Sequence, residues 1–302
     1  MKIGIDLGGS KIELIALDSH GIEHLRVRRP TPAGDYHATL ALIAAMVRQA
    51  ESQLGVLASV GIGTPGALSL ATGRMKNCNS TCLNGELLQQ DIEALLLREV
   101  RLSNDANCFA LSEAIDGAAQ GYPVVFAVIL GTGVGGGLVV HGRVLDGANH
   151  IAGEWGHNPL PVLSADDLPQ PACYCGKSGC IETWLSGPAM RADHYRHTND
   201  QLSAEAIAAA AKSGDDACRQ TLQRYTARLA AALAAVINIV DPDVIVLGGG
   251  LSNMQFLYKA IPELWLDYVF SDEVRTRLLA PQYGDSSGVR GAAWLWGREK
   301  IT

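Results

Sequence analysis

Twice in this chain an apolar strand runs into a glycine turn and out again, and that repetition limits the possible folds more than any other feature. Ile3-Gly4-Ile5-Asp6-Leu7-Gly8-Gly9 and Ala127-Val128-Ile129-Leu130-Gly131-Thr132-Gly133 share one plan of strand, turn and strand. A duplicated core of this kind predicts two α/β lobes around a cleft, each lending one phosphate-binding turn. A third apolar stretch, Val244-Ile245-Val246-Leu247, ends at Gly248-Gly249-Gly250 ahead of a helix. The 302 residues, 48% apolar and 18% charged, suffice for one large domain or two joined lobes with a substantial core. Topology puts the boundary near residues 115–122. It predicts an N-terminal lobe over 1–118 and a C-terminal lobe over 119–302, with the last helix, about 286–297, packing back on the first.

Periodicity fills in the rest. Lys2–Asp6, Glu13–Asp18 and Ile22–Arg28 read as a three-stranded meander. Leu40, Ile43, Ala44, Val47 and Ala50 recur at helical spacing and predict a helix over Tyr36–Leu54. A strand at Val60–Gly63, a helix at Glu86–Arg98, a strand at Val100–Leu102 and a helix from Asn104-Asp105 to about Ala119 complete the first half. In the second half, Val124–Leu130 reads as a buried strand, Gly131–Gly137 as a turn and Leu138–Val140 as the next strand. A long apolar helix is expected after Thr221, and a final one at Ser286–Trp296.

The glycine turns carry chemistry of their own. Gly4-Ile5-Asp6-Leu7-Gly8-Gly9-Ser10-Lys11 places an acid at a strand end, then two residues without side chains, then a hydroxyl. Backbone amides at such glycines can approach a phosphate closely, Ser10 can donate to an oxygen, and Asp6 can hold Mg²⁺ directly or through water. A plain tight hairpin is the competing explanation. Gly131-Thr132-Gly133-Val134-Gly135-Gly136 matches the dinucleotide pattern, but that pattern needs a helix next, whereas Gly137–Gly142 reads as strand and turn. It is therefore read as a second phosphate turn, with Thr132 near the terminal phosphate, and Gly248-Gly249 could receive an adenosine face, a structural β–α turn being the plainer alternative. Neither the P-loop pattern nor the protein-kinase catalytic loop is present.

Three of the seven cysteines crowd into Cys173-Tyr174-Cys175-Gly176-Lys177-Ser178-Gly179-Cys180. Gly176 and Gly179 allow turns that aim the thiols at one point, and His157 is the nearest upstream imidazole. One nitrogen and three sulfurs complete a closed tetrahedral set, which predicts a structural Zn²⁺. Such a site contributes on the order of 10 kcal/mol to folding. An odd cysteine count and no secretory leader pattern suit a reduced cytoplasmic protein better than a disulfide framework.

Together these motifs resemble the ROK family of bacterial sugar kinases, within the actin-like, ribonuclease H-like ATPases. The likeness rests on Asp6–Lys11 and on Gly153-Glu154-Trp155-Gly156-His157 followed by Cys173-x-Cys175-Gly176-x-x-Gly179-Cys180-x-Glu182. The chain departs from the family pattern in carrying Ser10 for the usual Thr, and in the fifteen residues between His157 and Cys173. The resemblance implies that Asp105 is the catalytic base and that Asn104, Glu154, His157 and Glu182 bind sugar hydroxyls. It makes His157 a zinc ligand as well, and places Gly66 and Asn79 on segments lining the sugar pocket. Without it, Asp105 would read as a helix cap and the two glutamates as solvated carboxylates. Lys76–Gly85, Gly153–Pro161 and Gly284–Trp294 look most like the fructokinase branch, implying ATP- and Mg²⁺-dependent phosphorylation of D-fructose to fructose 6-phosphate. Cys82 departs from that branch. The N-acetylglucosamine kinase branch shares Ile129–Gly137 and is the competitor.

A sugar-responsive repressor of the same family is the rival from another class. It would need a helix-turn-helix ahead of the first phosphate turn, and Asp6 already stands in that turn. A net charge of −7 disfavours nucleic acid as a partner. No apolar tract reaches the length of a bilayer span. Relatives are often dimers, so the resemblance implies a homodimer.

Overall fold

The computed structural model describes residues 1–297. Its elements are β1 (Lys2–Leu7), β2 (Lys11–Leu17), β3 (Glu23–Pro30), α1 (Tyr36–Leu54), β4 (Ser59–Thr64), a small pair β5 (Ala67–Leu68) and β6 (Met75–Lys76), α2 (Leu88–Leu96), β7 (Val100–Asn104) and α3 (Asp105–Ile115). The chain continues through β8 (Val124–Leu130), β9 (Val134–Val140), β10 (Arg143–Val144), α4 (Glu182–Leu185), α5 (Gly187–Thr198), α6 (Ala204–Lys212), α7 (Asp216–Val240), β11 (Val244–Gly248), α8 (Leu257–Leu264), β12 (Arg277–Leu279) and α9 (Ser287–Trp294). It separates into two compact units. One holds Met1–Gly121, Gly137–Ala152 and the segment from Gln282; the other holds Tyr122–Gly136 and Gly153–Pro281.

The first sheet has the order β3-β2-β1-β4-β7. The meander β1-β2-β3 is antiparallel, whereas β1, β4 and β7 run parallel. Parallel strands end at the same edge of a sheet, so Asp6 lies beside Gly63, and Thr64 beside Asn104. Residues far apart in sequence are thereby delivered to one rim. Ile3, Ile5, Ile12, Leu14, Val60 and Ile62 are fully buried beneath that rim. The second sheet has the order β10-β9-β8-β11-β12, and its parallel strands β8 and β11 bring Ile129 and Gly248 into register.

Within the first unit, α9 lies directly on the sheet and on α3. A Cβ at Gly291 would collide with the Cys108 carbonyl, so no larger residue fits that crossing. The buried Glu113 carboxylate fastens the two helices, accepting from Ser287 Oγ at 2.7 Å and from the Ala118 amide at 2.8 Å. Arg290 pairs with Asp116 alongside.

The expected α1 matches residue for residue, ended by Asp35 as N-cap and Gly55 at φ +68°. Several expected boundaries move, among them the end of α3, which stops at Ile115 short of the expected Ala119. The glycine turn over Gly131–Gly137 shortens, because β9 begins at Val134 and runs through Gly135, Gly136 and Gly137. The long helix starts at Asp216, five positions before Thr221, where Asp215 accepts from the Cys218 amide at 2.8 Å.

Candidate active site

In the first unit the glycine turn between β1 and β2 is closed by its own backbone. The Gly8 amide donates to the Lys11 carbonyl at 3.1 Å, and the Thr31 hydroxyl donates to the Gly8 carbonyl at 2.7 Å. Asp6 lies mostly buried just before the turn. Burial pushes its carboxyl up to about 6, the neighbouring charges of Asp105 and Glu13 add to the rise, and Lys11 opposes it. Two carboxylates at one rim, one of them losing water, make a pair that a divalent cation would relieve. Ser10 and Lys11 are exposed beyond the turn, whereas Gly4 and Ile5 are buried inside β1, with Gly4 backed by α9.

Asp105 is the first residue of α3 and is exposed. The capping role belongs to Asn104, whose side chain accepts from the Asn107 amide at 2.7 Å. Asp105 Oδ1 accepts from the adjacent Ala106 amide at 2.7 Å. The helix thus presents a carboxylate at its positive end. Nearby, the Thr64 hydroxyl donates to the Gly66 carbonyl at 2.8 Å. The loop carrying Asn79 is held by Asn84, which accepts from the Cys78 amide at 2.8 Å and donates to its carbonyl at 3.0 Å. Thr64, Gly66, Asn104 and Asn107 also line a cavity of about 840 Å³ whose walls include neither Asp105 nor Asn79.

In the second unit the turn between β8 and β9 is closed by the Gly131 amide donating to the Gly133 carbonyl at 3.0 Å. Here the acid comes from a distance. Glu182 Oε2 accepts from the Val134 amide at 2.8 Å, and a Cβ on Gly133 would press against that carboxylate at 2.7 Å. Glu182 thus braces the turn with one oxygen. The Gly187 amide donates to the Gly131 carbonyl at 2.8 Å, bringing the start of α5 onto the same turn. A pocket of about 470 Å³ opens there, lined by Thr132, Gly187, Arg191, Glu205 and Gly250 among others. Sequence reasoning did not include Gly187, Pro188, Arg191 or Ser203–Glu205; the Ser186-Gly187-Pro188 cap-and-proline pattern at the head of a helix was the available signal. Gly249 has φ +78° and passes so close to the Leu130 carbonyl that a side chain is excluded.

The histidine and the three cysteines do converge. The ligand atoms of His157, Cys173, Cys175 and Cys180 all lie within 4.8 Å of one another. Cys175 Sγ is 3.6 Å from Cys180 Sγ, and Cys173 Sγ is 3.6 Å from His157 Nδ1. A tetrahedron with Zn–S near 2.3 Å has sulfur–sulfur edges of roughly 3.8 Å, so these donors fit Zn²⁺ with little movement. Gly176 and Gly179 adopt φ +87° and +71°, and the Cys173 amide donates to the Lys177 carbonyl at 2.7 Å to tie the knuckle. The Ile181 amide donates to the Asn158 carbonyl at 2.8 Å, carrying the cluster's rigidity into α4 and so to Glu182.

The long connection from His157 to Cys173 is anchored as well. Asp167 forms a capping box with Ser164 and pairs with the buried Arg228 of α7. Arg228 also holds Asp193 at 2.9 Å. Burial alone would raise the Asp193 carboxyl, but Arg224 and Arg228 outweigh it and keep it below the usual range.

A family model described as "ROK family" matches residues 2–299. The chain belongs to the ROK family. It is 31% identical to a ROK hexokinase from Thermus thermophilus, with a TM-score of 0.87 over 98% of this chain and 97% of that one. A ROK family glucokinase from Streptomyces griseus, solved with glucose and AMPPNP, is 28% identical with a TM-score of 0.75 over 97% and 98%. These likenesses establish the two-lobed α/β kinase fold and an ATP-dependent carbohydrate kinase. Over 302 residues the chain is 42% identical to the N-acetyl-D-glucosamine kinase of Yersinia enterocolitica, covering 98% of this chain and 99% of that protein. This overturns the expected assignment to the fructokinase branch and to D-fructose. That assignment rested on short motifs, and identity over nearly the whole chain outweighs them.

Among the described residues no helix is long and apolar enough to cross a membrane.

Proposed function

We propose that this chain transfers the γ-phosphoryl group of ATP to a hydroxyl of N-acetyl-D-glucosamine. The observation that carries this reading is the 42% identity, over nearly the whole length of both chains, to a kinase of that name. The repeated strand order of the two sheets supports a duplicated actin-like architecture.

Asp105 accepts the proton of the attacking hydroxyl as its oxygen bonds to phosphorus and the bond to ADP breaks. A carboxylate so placed supplies about 10²–10⁴-fold, or roughly 3–5 kcal/mol of barrier. Asn104 keeps an amide N–H free of its capping bond to orient the sugar, and Glu154, His157 and Glu182 bind further hydroxyls. The two glycine turns hold phosphate oxygens through backbone amides. Asp6 would hold Mg²⁺, which when bound would neutralise charge on the phosphates. His157, Cys173, Cys175 and Cys180 would hold Zn²⁺, which would cross-link the Glu182 segment.

A coupled ADP-release assay over N-acetylglucosamine, N-acetylmannosamine, glucose, mannose and fructose tests the reading. The highest kcat/KM is expected for N-acetylglucosamine. Equal or faster turnover of fructose would overturn the substrate, and no turnover of any sugar would overturn the activity.

A further inference from the structure

The residue between the first two cysteines of the cluster is a tyrosine, and its hydroxyl is engaged in an unusual way. Tyr174 Oη lies 2.9 Å from His157 Nε2, with the two rings edge-on at 87° and 5.1 Å between centroids. Yet Tyr174 is 81% exposed. The hydrogen bond and the edge contact hold the ring against His157.

The other ring nitrogen of His157 is committed to the cluster, facing Cys173 Sγ. A metal there takes the Nδ1 lone pair, which leaves the proton on Nε2. Nε2–H then donates to the tyrosine hydroxyl. A sugar hydroxyl that binds His157 must accept from the same N–H. One donor cannot serve both acceptors well.

We propose that Tyr174 is a latch: its hydroxyl occupies the sugar's place on His157, and the arriving sugar displaces it. This rests on the reading of His157 as a sugar contact. The backbone on either side is tied into the knuckle, with the Gly176 amide donating to the Cys173 carbonyl at 3.0 Å, so release requires only rotation of an exposed side chain. The latch taxes sugar affinity in proportion to its occupancy and leaves the phosphoryl-transfer step untouched. Tyr174 accordingly tunes sugar affinity and takes no part in the transfer.

The test is calorimetric titration of wild type and Tyr174→Phe with N-acetylglucosamine in the absence of ATP, beside zinc content and steady-state kinetics. A net hydrogen bond of ordinary strength predicts sugar binding tighter by roughly 2–10-fold in the variant. Its KM falls in step, with kcat and zinc content unchanged. Equal or weaker binding with zinc retained overturns the latch and leaves the kinase reading standing. Loss of zinc in the variant overturns it in favour of a purely structural tyrosine. A wild-type chain that binds no sugar overturns both readings.

Discussion

The two glycine turns share a local plan and differ in where their acid comes from. In the first, Asp6 precedes the glycines on the same strand, and burial beside Asp105 pushes its carboxyl up to about 6. In the second, no acid precedes the turn. Glu182 reaches it from 48 residues further along the chain and accepts from the Val134 amide. One turn therefore keeps an unrelieved charge that fits a cation, and the other has a satisfied carboxylate delivered by a folded loop. The difference teaches that a duplicated strand–turn–strand core fixes the place of its turns but not the origin of the charges around them.

Replacing the base should have the largest effect. Asp105→Asn is expected to lower kcat by about 10²–10⁴-fold while leaving sugar affinity within a small factor, because it changes proton transfer and not the hydroxyl contacts. Steady-state kinetics beside calorimetry reads both. Near-normal kcat would remove Asp105 from the chemistry and leave the second turn as the better-supported half of the site.

A smaller effect separates the turns by stability. The folded pKa of Asp6 lies above its ordinary value of 3.8, so ionising it costs stability. The contribution is fully present below about pH 4 and is lost as pH rises through about 6. A shift of this size corresponds to about 3 kcal/mol. Asp6→Asn should therefore raise the melting temperature of the nucleotide- and Mg²⁺-free protein at neutral pH, and flatten its decline between pH 4 and 6, while activity falls. Melting curves across that range read the sign. An unchanged slope would mean the first turn carries no stored charge and resembles the second.

The same contrast explains what the amino-acid pattern reveals. Features written locally are readable: α1 between Asp35 and Gly55, the strands leading into Gly8 and Gly131, and the spacing of Cys173, Cys175 and Cys180. Asp105 reads locally as a cap for α3, but side-chain geometry gives the cap to its neighbour Asn104. Contacts made across the chain leave no local trace. The Glu182–Val134 bond, the approach of Gly187 to Gly131, and the pairing of Asp167 with Arg228 each join segments dozens of residues apart. The start of β9 at Val134 was hidden for a related reason: three glycines inside a strand read as turn unless neighbouring strands are known to pack on them. The fructokinase assignment rested on short loops, whereas similarity over nearly the whole chain favours an N-acetyl-D-glucosamine kinase.

The central claim is that the metal-folded loop braces the second turn and leaves the first alone. Amide hydrogen exchange before and after chelation of the metal tests it most directly, followed at Val134, at Asn107 in the first unit, and at Ile245 in β11 as a check on global unfolding. A charge-assisted hydrogen bond of about 1.5–3 kcal/mol predicts that Val134 loses roughly 10–100-fold protection. Asn107 and Ile245 should keep theirs. Unchanged protection at Val134 after the metal has gone, or equal loss at all three amides, would contradict the account.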